Sequence, residues 1–190
     1  MSHKPTLTPT LTPTLTPTPT PTPTPTQTFG GGVSPALLAQ EPDPRYLRRP
    51  FSQGTLVDSC ILIDVLANDP VWADWSVDQL DLLSAQGPLI INPLILAEIS
   101  PRFETANDLE AALAGLPLVR QALPWDAAFL AGQAFKIYRA SRGSKTSPMP
   151  DFYIGAHALV NQLQLLTRDA PRYLSYFPKL GVIAPGQSGG

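Results

Sequence analysis

The segment PDFYIGAHALVNQLQLLTRD (150–169) contains the pattern that decides the fold. Residues 151–163 have helical spacing and are mostly apolar, and QLLT at 164–167 has the length and composition of a short buried strand. Asp151 begins the helix and Asp169 follows the strand. A helix that leads into such a strand is typical of a βαβ unit, in which the strands run parallel.

The same alternation of strands and helices extends over the chain from about residue 55 to residue 185. Short apolar runs predict strands at 55–58, 88–91, 164–167 and 181–185. Helical spacing and capping residues predict helices that open at Asn92–Pro93 and cover 60–69, 74–86, 105–116, 125–143, 151–163 and 170–177. Strands separated by helices predict a mainly parallel sheet covered by helices.

Composition divides the chain into a tail and one domain. The N-terminal residues read as Thr-Pro repeats followed by a glycine run, which predicts an extended, disordered segment over 1–50. We expect a globular domain at 51–185 and a flexible tail at 186–190. The net charge of -2 gives no strong field toward nucleic acid or membrane. The single cysteine and the lack of a signal-like or membrane-spanning segment predict a cytoplasmic protein.

Four acidic residues lie where a parallel sheet would bind a ligand. Asp58 and Asp169 follow predicted strands, and ligands of open parallel sheets bind outside the carboxyl ends of the strands. Asp151 opens a helix, and Glu98 interrupts an apolar one. Clustered carboxylates repel one another unless a cation compensates them, and Mg²⁺ or Mn²⁺ prefers oxygen ligands. Taken singly, Asp58, Asp151 and Asp169 have another interpretation as helix N-caps.

Four sequence blocks carry a resemblance to a known family. They are LVDSCILIDVL (56–66), LIINPLILAEI (89–99), PDFYIGAHAL (150–159) and LLTRD (165–169). In this order and spacing they resemble the signature blocks of PIN-domain proteins, and especially the VapC-like toxins of toxin-antitoxin pairs. The resemblance covers about residues 54 to 185. It implies a three-layer α/β/α domain with a central, mainly parallel sheet of four to five strands.

The resemblance also implies a function and a set of site residues. A PIN-like toxin is a Mg²⁺- or Mn²⁺-dependent endoribonuclease whose acids act as catalytic residues and metal ligands, here Asp58, Glu98, Asp151 and Asp169. Thr167 in the TRD block is a candidate polar helper. The implied partners are RNA, a VapB-like antitoxin and a second copy of the chain, with the apolar segment 71–83 as a candidate homodimer face.

Basic residues near the acids are candidate contacts to RNA phosphates. Basic side chains outnumber acidic ones over residues 111–190, and Arg142 and Lys145 precede Asp151 in the sequence. Arg168 and Arg172 flank Asp169. Contacts of this kind are independent of base sequence and weaken with salt. The alternative is an ordinary solvated surface.

Several other residues have structural interpretations. We expect His157 to be a packed, hydrogen-bonded histidine rather than a general base, and Asp64 to lie on the surface. Trp125 and Phe129 would supply core or interface area, and Gly155 would allow close helix packing.

Two alternative functions remain open at this stage. One is a non-catalytic PIN-like protein that acts through an antitoxin complex regulating transcription. The other is a phosphotransfer domain with Asp58 as nucleophile, although DSC at 58–60 lacks the second Asp that such a motif carries.

Overall fold

The computed structural model describes residues 54–141 and 143–186. The tail expected at 1–50, Arg142 and most of the C-terminal tail lie outside the described residues. The domain bounds expected at 51–185 therefore stay predictions.

A five-stranded sheet forms the centre of the described chain, with the strand order β3-β2-β1-β4-β5 and every pair parallel. In register, Leu56 of the central strand lies opposite Ile90 on one side and Leu165 on the other. All five strands therefore lie in one parallel sheet, in agreement with the sequence prediction. The strands are β1 (Thr55–Val57), β2 (Leu89–Ile91), β3 (Leu118–Arg120), β4 (Gln164–Leu166) and β5 (Val182–Ile183).

Seven α-helices connect the strands in the described residues, with one 3₁₀ turn at Ser100–Arg102. They are α1 (Ser59–Leu66), α2 (Ala73–Ser84), α3 (Pro93–Ile99), α4 (Ala106–Leu113), α5 (Trp125–Ala140), α6 (Pro150–Val160) and α7 (Ala170–Leu174).

The helices cover both faces of the sheet. Connections between parallel strands are right-handed, so α1 to α4, which lead outward from β1 to β3, cover one face, and α5 to α7 cover the other. In agreement, α1 packs against α2 and α3, while α6 packs against α5 and α7. The predicted α/β/α architecture with a parallel sheet of four to five strands is confirmed.

The strand that the sequence pattern did not predict is β3. It lies at the edge of the sheet, and its residues are half-buried or exposed. An edge strand with an exposed Val119 and Arg120 lacks the buried apolar run by which the other strands were predicted.

Local capping residues set the helix ends as the sequence predicts. Asn92 accepts hydrogen bonds from the backbone N–H of Leu94 and Ile95 and so caps α3 before Pro93. Thr105 forms the predicted capping box with Asp108 at the start of α4. Most helices are shorter than predicted; α1, for example, ends at Leu66, just before Asn68 with its positive φ of 48°.

Gly155 allows α7 to approach α6 closely. A Cβ atom at this position would lie 2.6 Å from the ring of Phe177 and 3.1 Å from the ring of Tyr173. The expectation that Gly155 serves close helix packing is confirmed.

His157 is a fully buried, hydrogen-bonded residue of α6, as expected. The Asn92 carboxamide oxygen already accepts two backbone N–H groups, so its Nδ2 donates to His157 Nδ1 at 3.0 Å. The Nε2–H of the ring then donates to Gln121 Oε1 at 2.9 Å. His157 thereby ties α6 to the start of α3 and to the residue after β3.

We predict that His157 makes stability depend on pH. Burial lowers its pKa to about 4, whereas the unfolded chain has a value near 6.5. The unfolded state therefore binds more protons as pH falls, and the free energy of unfolding should drop by about 2 kcal/mol between about pH 8 and about pH 5. Urea unfolding of the wild type and of His157→Gln at the two pH values isolates this contribution, since carboxyl groups titrate in both proteins. Equal pH dependence in the two would contradict the prediction.

Candidate functional site

The centre of the candidate site is a hydrogen bond between the ends of β1 and β4. Asp58 follows β1 and Thr167 follows β4, and Thr167 Oγ1 donates to Asp58 Oδ2 at 2.6 Å. Both side chains are buried. Connections leave β1 and β4 in opposite directions, so this is the switch point at which open parallel sheets bind ligands.

Both carboxylate oxygens of Asp58 accept hydrogen bonds. Its Oδ1 accepts from the backbone N–H of Ser59 at 2.8 Å, which makes Asp58 the N-cap of α1. Its Oδ2 accepts the hydrogen bond from Thr167 and also lies 3.5 Å from the sulfur atom of Cys60. Burial, followed by the charge of Asp58, raises the pKa of Cys60 to about 11, so the thiol stays protonated and donates. The capping interpretation of Asp58 is thus correct, and it fixes the carboxylate at the switch point.

Glu98 and Asp151 share the electrostatic environment of Asp58. Burial raises the pKa of Glu98, and the charges of Asp58 and Asp151 raise it further. Burial likewise raises the pKa of Asp151, with smaller contributions from Asp58 and Asp169, while Arg172 opposes them. α3 contacts α6, which brings these two acids together from different helices. The sequence-predicted acids therefore act on one another at the carboxyl edge of the sheet.

Asp169 lies at the outer side of this group. Its side chain is 54% exposed and accepts a hydrogen bond from the backbone N–H of Arg172, so Asp169 caps α7. Its own backbone N–H donates to Thr167 Oγ1 at 3.1 Å. Thr167 thus connects Asp58 to Asp169. Asp151, in contrast, is not an N-cap, because Met149 occupies that position in α6.

Arg172 lies among the acids rather than apart from them. One guanidinium nitrogen is 2.5 Å from Asp151 Oδ2, and the other is 4.0 Å from Asp169 Oδ2. The side chain is half-exposed, so it is able to move away from the carboxylates. The guanidinium supplies the positive charge that clustered carboxylates need.

Arg168 forms a different cluster. Its Nε lies 3.0 Å from Asp64 Oδ2, although not in line for a hydrogen bond, and its guanidinium lies 5.3 Å from the centre of the Trp72 ring. Ser76 donates to the same Asp64 oxygen at 2.9 Å. We call Asp64, Trp72, Ser76 and Arg168 the Asp64 cluster. Most of Arg168 is thereby occupied by contacts within the protein.

The expectation that Asp64 lies on the surface is wrong. Its side chain is 1% exposed and its pKa is raised by burial. α2 packs over α1 and covers the residue, and Arg168 from the distant TRD block supplies the charge. That pairing joins positions 64 and 168, which no local pattern connects.

Lys145 lies in the loop before α6 with an exposed side chain. Its backbone carbonyl accepts a hydrogen bond from Arg139 at 2.8 Å, and its N–H donates to the Tyr138 hydroxyl. These bonds fix the backbone of the loop and leave the ammonium group to solvent.

The carboxylate oxygens of the site are ligands that a hard divalent cation prefers, but in the structure they do not form a closed coordination shell. In the part of the chain that the structure describes, no three His, Cys, Asp or Glu side chains are arranged to hold a metal ion together. Arg172 forms an ion pair with Asp151, one of the carboxylates for which a cation would compete. Asp58, Glu98 and Asp151 are the residues that would hold Mg²⁺ or Mn²⁺.

Sequence reasoning missed two groups at the site. Ser59 interacts through its side chain with Glu98. The sequence signal for this role was the position of Ser59 directly after Asp58. Tyr173 in α7 is buried, and the charges of Asp58 and Asp151 act on its hydroxyl. In the sequence it has only the signature of a core aromatic residue.

We predict that the Asp64 cluster stabilises the TRD segment. Asp64→Asn or Arg168→Gln should each lower the free energy of unfolding by about 1 to 3 kcal/mol, because each leaves a largely buried partner unpaired. The double variant should lose less than the sum of the two single losses. Chemical denaturation of the four proteins measures this coupling, and additive losses would show that the pair does not act as a unit.

Comparison with known proteins gives a similarity of fold. No protein-family model and no curated protein matches the sequence. A chain of VapBC2 from Rickettsia felis, solved bound to a DNA fragment from the promoter, matches with a TM-score of 0.55 at 16% identity over 69% of this chain and 98% of that chain. A chain of DNA-bound VapBC from Salmonella typhimurium matches with a TM-score of 0.52 at 19% identity over 69% and 97%. The described chain therefore has the PIN-like α/β fold found in VapBC complexes.

Proposed function

We propose that this protein is a Mg²⁺- or Mn²⁺-dependent endoribonuclease that acts as the toxin of a VapBC-like toxin-antitoxin pair. The observation that carries the proposal is that Asp58 is fixed at the switch point of a PIN-like sheet, where its charge and those of Glu98 and Asp151 act on one another. Asp169 stands beside them as the fourth acid. Positive charge stabilises carboxylates that repel one another, and a metal cation that supplies it can also assist the hydrolysis of phosphodiesters.

In this proposal the four acids bind the cation, and Thr167 supports them. A bound cation would lower the pKa of water and offset charge on the phosphoryl oxygens. Asp58, Glu98 and Asp151 would hold it, and Asp169 would complete a second position. Thr167 is the proposed polar helper, because its hydroxyl donates to Asp58 and so helps to fix the orientation of that carboxylate.

RNA would bind through phosphate contacts near the acids. Arg172 is the best placed of the proposed basic residues, because it already lies against two of the acids and is half-exposed. Lys145 is exposed in the loop that leads to α6. Arg168 retains only a partly exposed guanidinium for RNA beyond its pairing with Asp64.

A VapB-like antitoxin and a second copy of the chain are the proposed protein partners. Apolar side chains stand exposed on two surfaces: Val71, Val77 and Leu82 around α2, and Trp125 and Phe129 on α5. Trp125 is 93% exposed and Phe129, one turn later, 66% exposed. Exposed apolar patches of this kind mark interaction sites. In the part of the chain that the structure describes, no helix is long and apolar enough to cross a membrane.

A second candidate is a partner-binding protein without catalysis, which acts through an antitoxin complex that regulates transcription. The exposed apolar surfaces favour it, and so do the two matched structures, which are complexes bound to DNA. RNA cleavage by the isolated protein separates the two candidates.

We predict that the isolated full chain cuts RNA only with Mg²⁺ or Mn²⁺ and that Asp58→Asn removes this activity. The amide keeps the N-cap of α1 but loses the negative charge, so cleavage should fall by a factor of at least about 100 while folding is retained. Total RNA incubated with wild type or variant, with the cation or with EDTA, gives the measurement.

The matched control is Asp78→Asn, which removes one carboxylate from the exposed side of α2. It should cut as the wild type does. Undiminished cleavage by Asp58→Asn would remove Asp58 from the site, and no cleavage by folded wild type would favour the partner-binding candidate.

We predict that Arg172 competes with the cation and assists RNA binding. Arg172→Gln should bind Mn²⁺ about two- to fivefold more tightly, the range that a half-exposed ion pair supports, because its guanidinium no longer holds Asp151. The same variant should bind RNA more weakly and with a smaller dependence on salt. Calorimetric titration with Mn²⁺ and RNA binding at several salt concentrations measure both effects.

Arg120→Gln serves as the control, because Arg120 forms a comparable ion pair with Glu110 at the edge strand. Weaker Mn²⁺ binding by Arg172→Gln than by this control would show that Arg172 supports the cation rather than competes with it.

A further inference from the structure

Tyr173 carries a buried hydroxyl group without a hydrogen-bond partner. The residue is 2% exposed, and its Oη has no partner among the residues that the structure describes. An unsatisfied buried hydroxyl costs about 1 to 3 kcal/mol, and such groups are rare in folded proteins. A phenylalanine would fill the same volume without that cost.

The packing of α7 on α6 fixes the position of the ring. Gly155 leaves no Cβ, and the Tyr173 ring atom Cδ1 lies only 3.1 Å from where that atom would be. Phe177 closes the space next to it at 2.6 Å from the same point. The Tyr173 ring is therefore closely packed against α6 at Gly155.

The hydroxyl group lies close enough to the acids for their charges to act on it. Burial raises the pKa of Tyr173 well above its usual range, and the charges of Asp58 and Asp151 raise it further. The Asp58 carboxylate also interacts with the hydroxyl, although the two groups do not form a hydrogen bond of normal geometry. Both Asp58 oxygens already accept hydrogen bonds from other groups. Tyr173 is thus a buried donor beside the site whose hydroxyl forms no hydrogen bond with the described residues.

We propose that Tyr173 Oη donates a hydrogen bond to an oxygen atom of the ligand bound at the Asp58–Asp151 site. The shared chemistry is an electron-rich oxygen, which belongs either to an RNA phosphate or to a water molecule held by the cation. This inference rests on the proposed nuclease function and adds to the site a neutral donor besides Thr167 and Cys60, which already donate to Asp58. A donor of this kind stabilises negative charge that develops on oxygen during hydrolysis.

The test is Tyr173→Phe in the full chain, with Tyr176→Phe as the matched control. Tyr176 lies in the same part of the chain, and its ring packs against Phe152 with a centroid distance of 4.9 Å. Three quantities are measured for each protein: the urea midpoint of unfolding, the Kd for Mn²⁺ without RNA, and the single-turnover rate of RNA cleavage with saturating Mn²⁺.

Tyr173→Phe should unfold at the same or a higher urea concentration than the wild type and should cleave RNA at least about tenfold more slowly. A weaker Mn²⁺ affinity in the same variant identifies the acceptor as water held by the cation. An unchanged Mn²⁺ affinity with slower cleavage identifies it as a phosphate oxygen. Tyr176→Phe should leave the cleavage rate and the Mn²⁺ affinity unchanged.

Two results would overturn the inference. Wild-type rates and affinities in Tyr173→Phe would show that the hydroxyl does not touch the ligand, and a clear loss of stability would show that it has a structural partner. Failure of the proposed function is distinguishable from both, since the wild type itself would then neither bind Mn²⁺ nor cleave RNA.

Discussion

The arrangement of the molecule depends on the repulsion among carboxylates that the sheet topology forces together. Asp58 is fixed at the switch point between β1 and β4 by Thr167 and by the start of α1. Glu98 and Asp151 then arrive on α3 and α6, and burial together with neighbouring charge raises the pKa of each. Arg172 offsets part of this charge from α7. The site is therefore built around a place for positive charge, which a side chain fills in the structure and which a cation would fill in the proposed enzyme.

Sequence reasoning succeeded where the relevant physics is local or follows from the order of the elements. The proximity of Asp58, Asp151 and Asp169 could be expected because each stands beside a strand end or a helix start, and parallel strands bring those ends to one edge. Caps such as Asn92 depend only on the next three residues. Gly155 and His157 could be interpreted because each interrupts an apolar helix in a way that packing explains.

Sequence reasoning failed where two distant residues decide each other's environment. Asp64 has the pattern of a surface acid, and only its pairing with Arg168 explains its burial. The same pairing takes most of Arg168 away from the surface. Arg172 lies on the acids because α7 packs closely on α6 at Gly155, a contact between helices that no local pattern contains. Strand β3 was missed because an exposed edge strand has no apolar run.

The central claim is that the Asp58–Asp151 site binds a divalent cation in place of the Arg172 guanidinium. A crystal structure of the full chain soaked with Mn²⁺, with anomalous diffraction data, tests it most directly. The account predicts an anomalous peak bonded to carboxylate oxygens of Asp58 and Asp151, with Arg172 moved away from Asp151. An Arg172–Asp151 ion pair that persists at saturating Mn²⁺, without an anomalous peak among the acids, would contradict it.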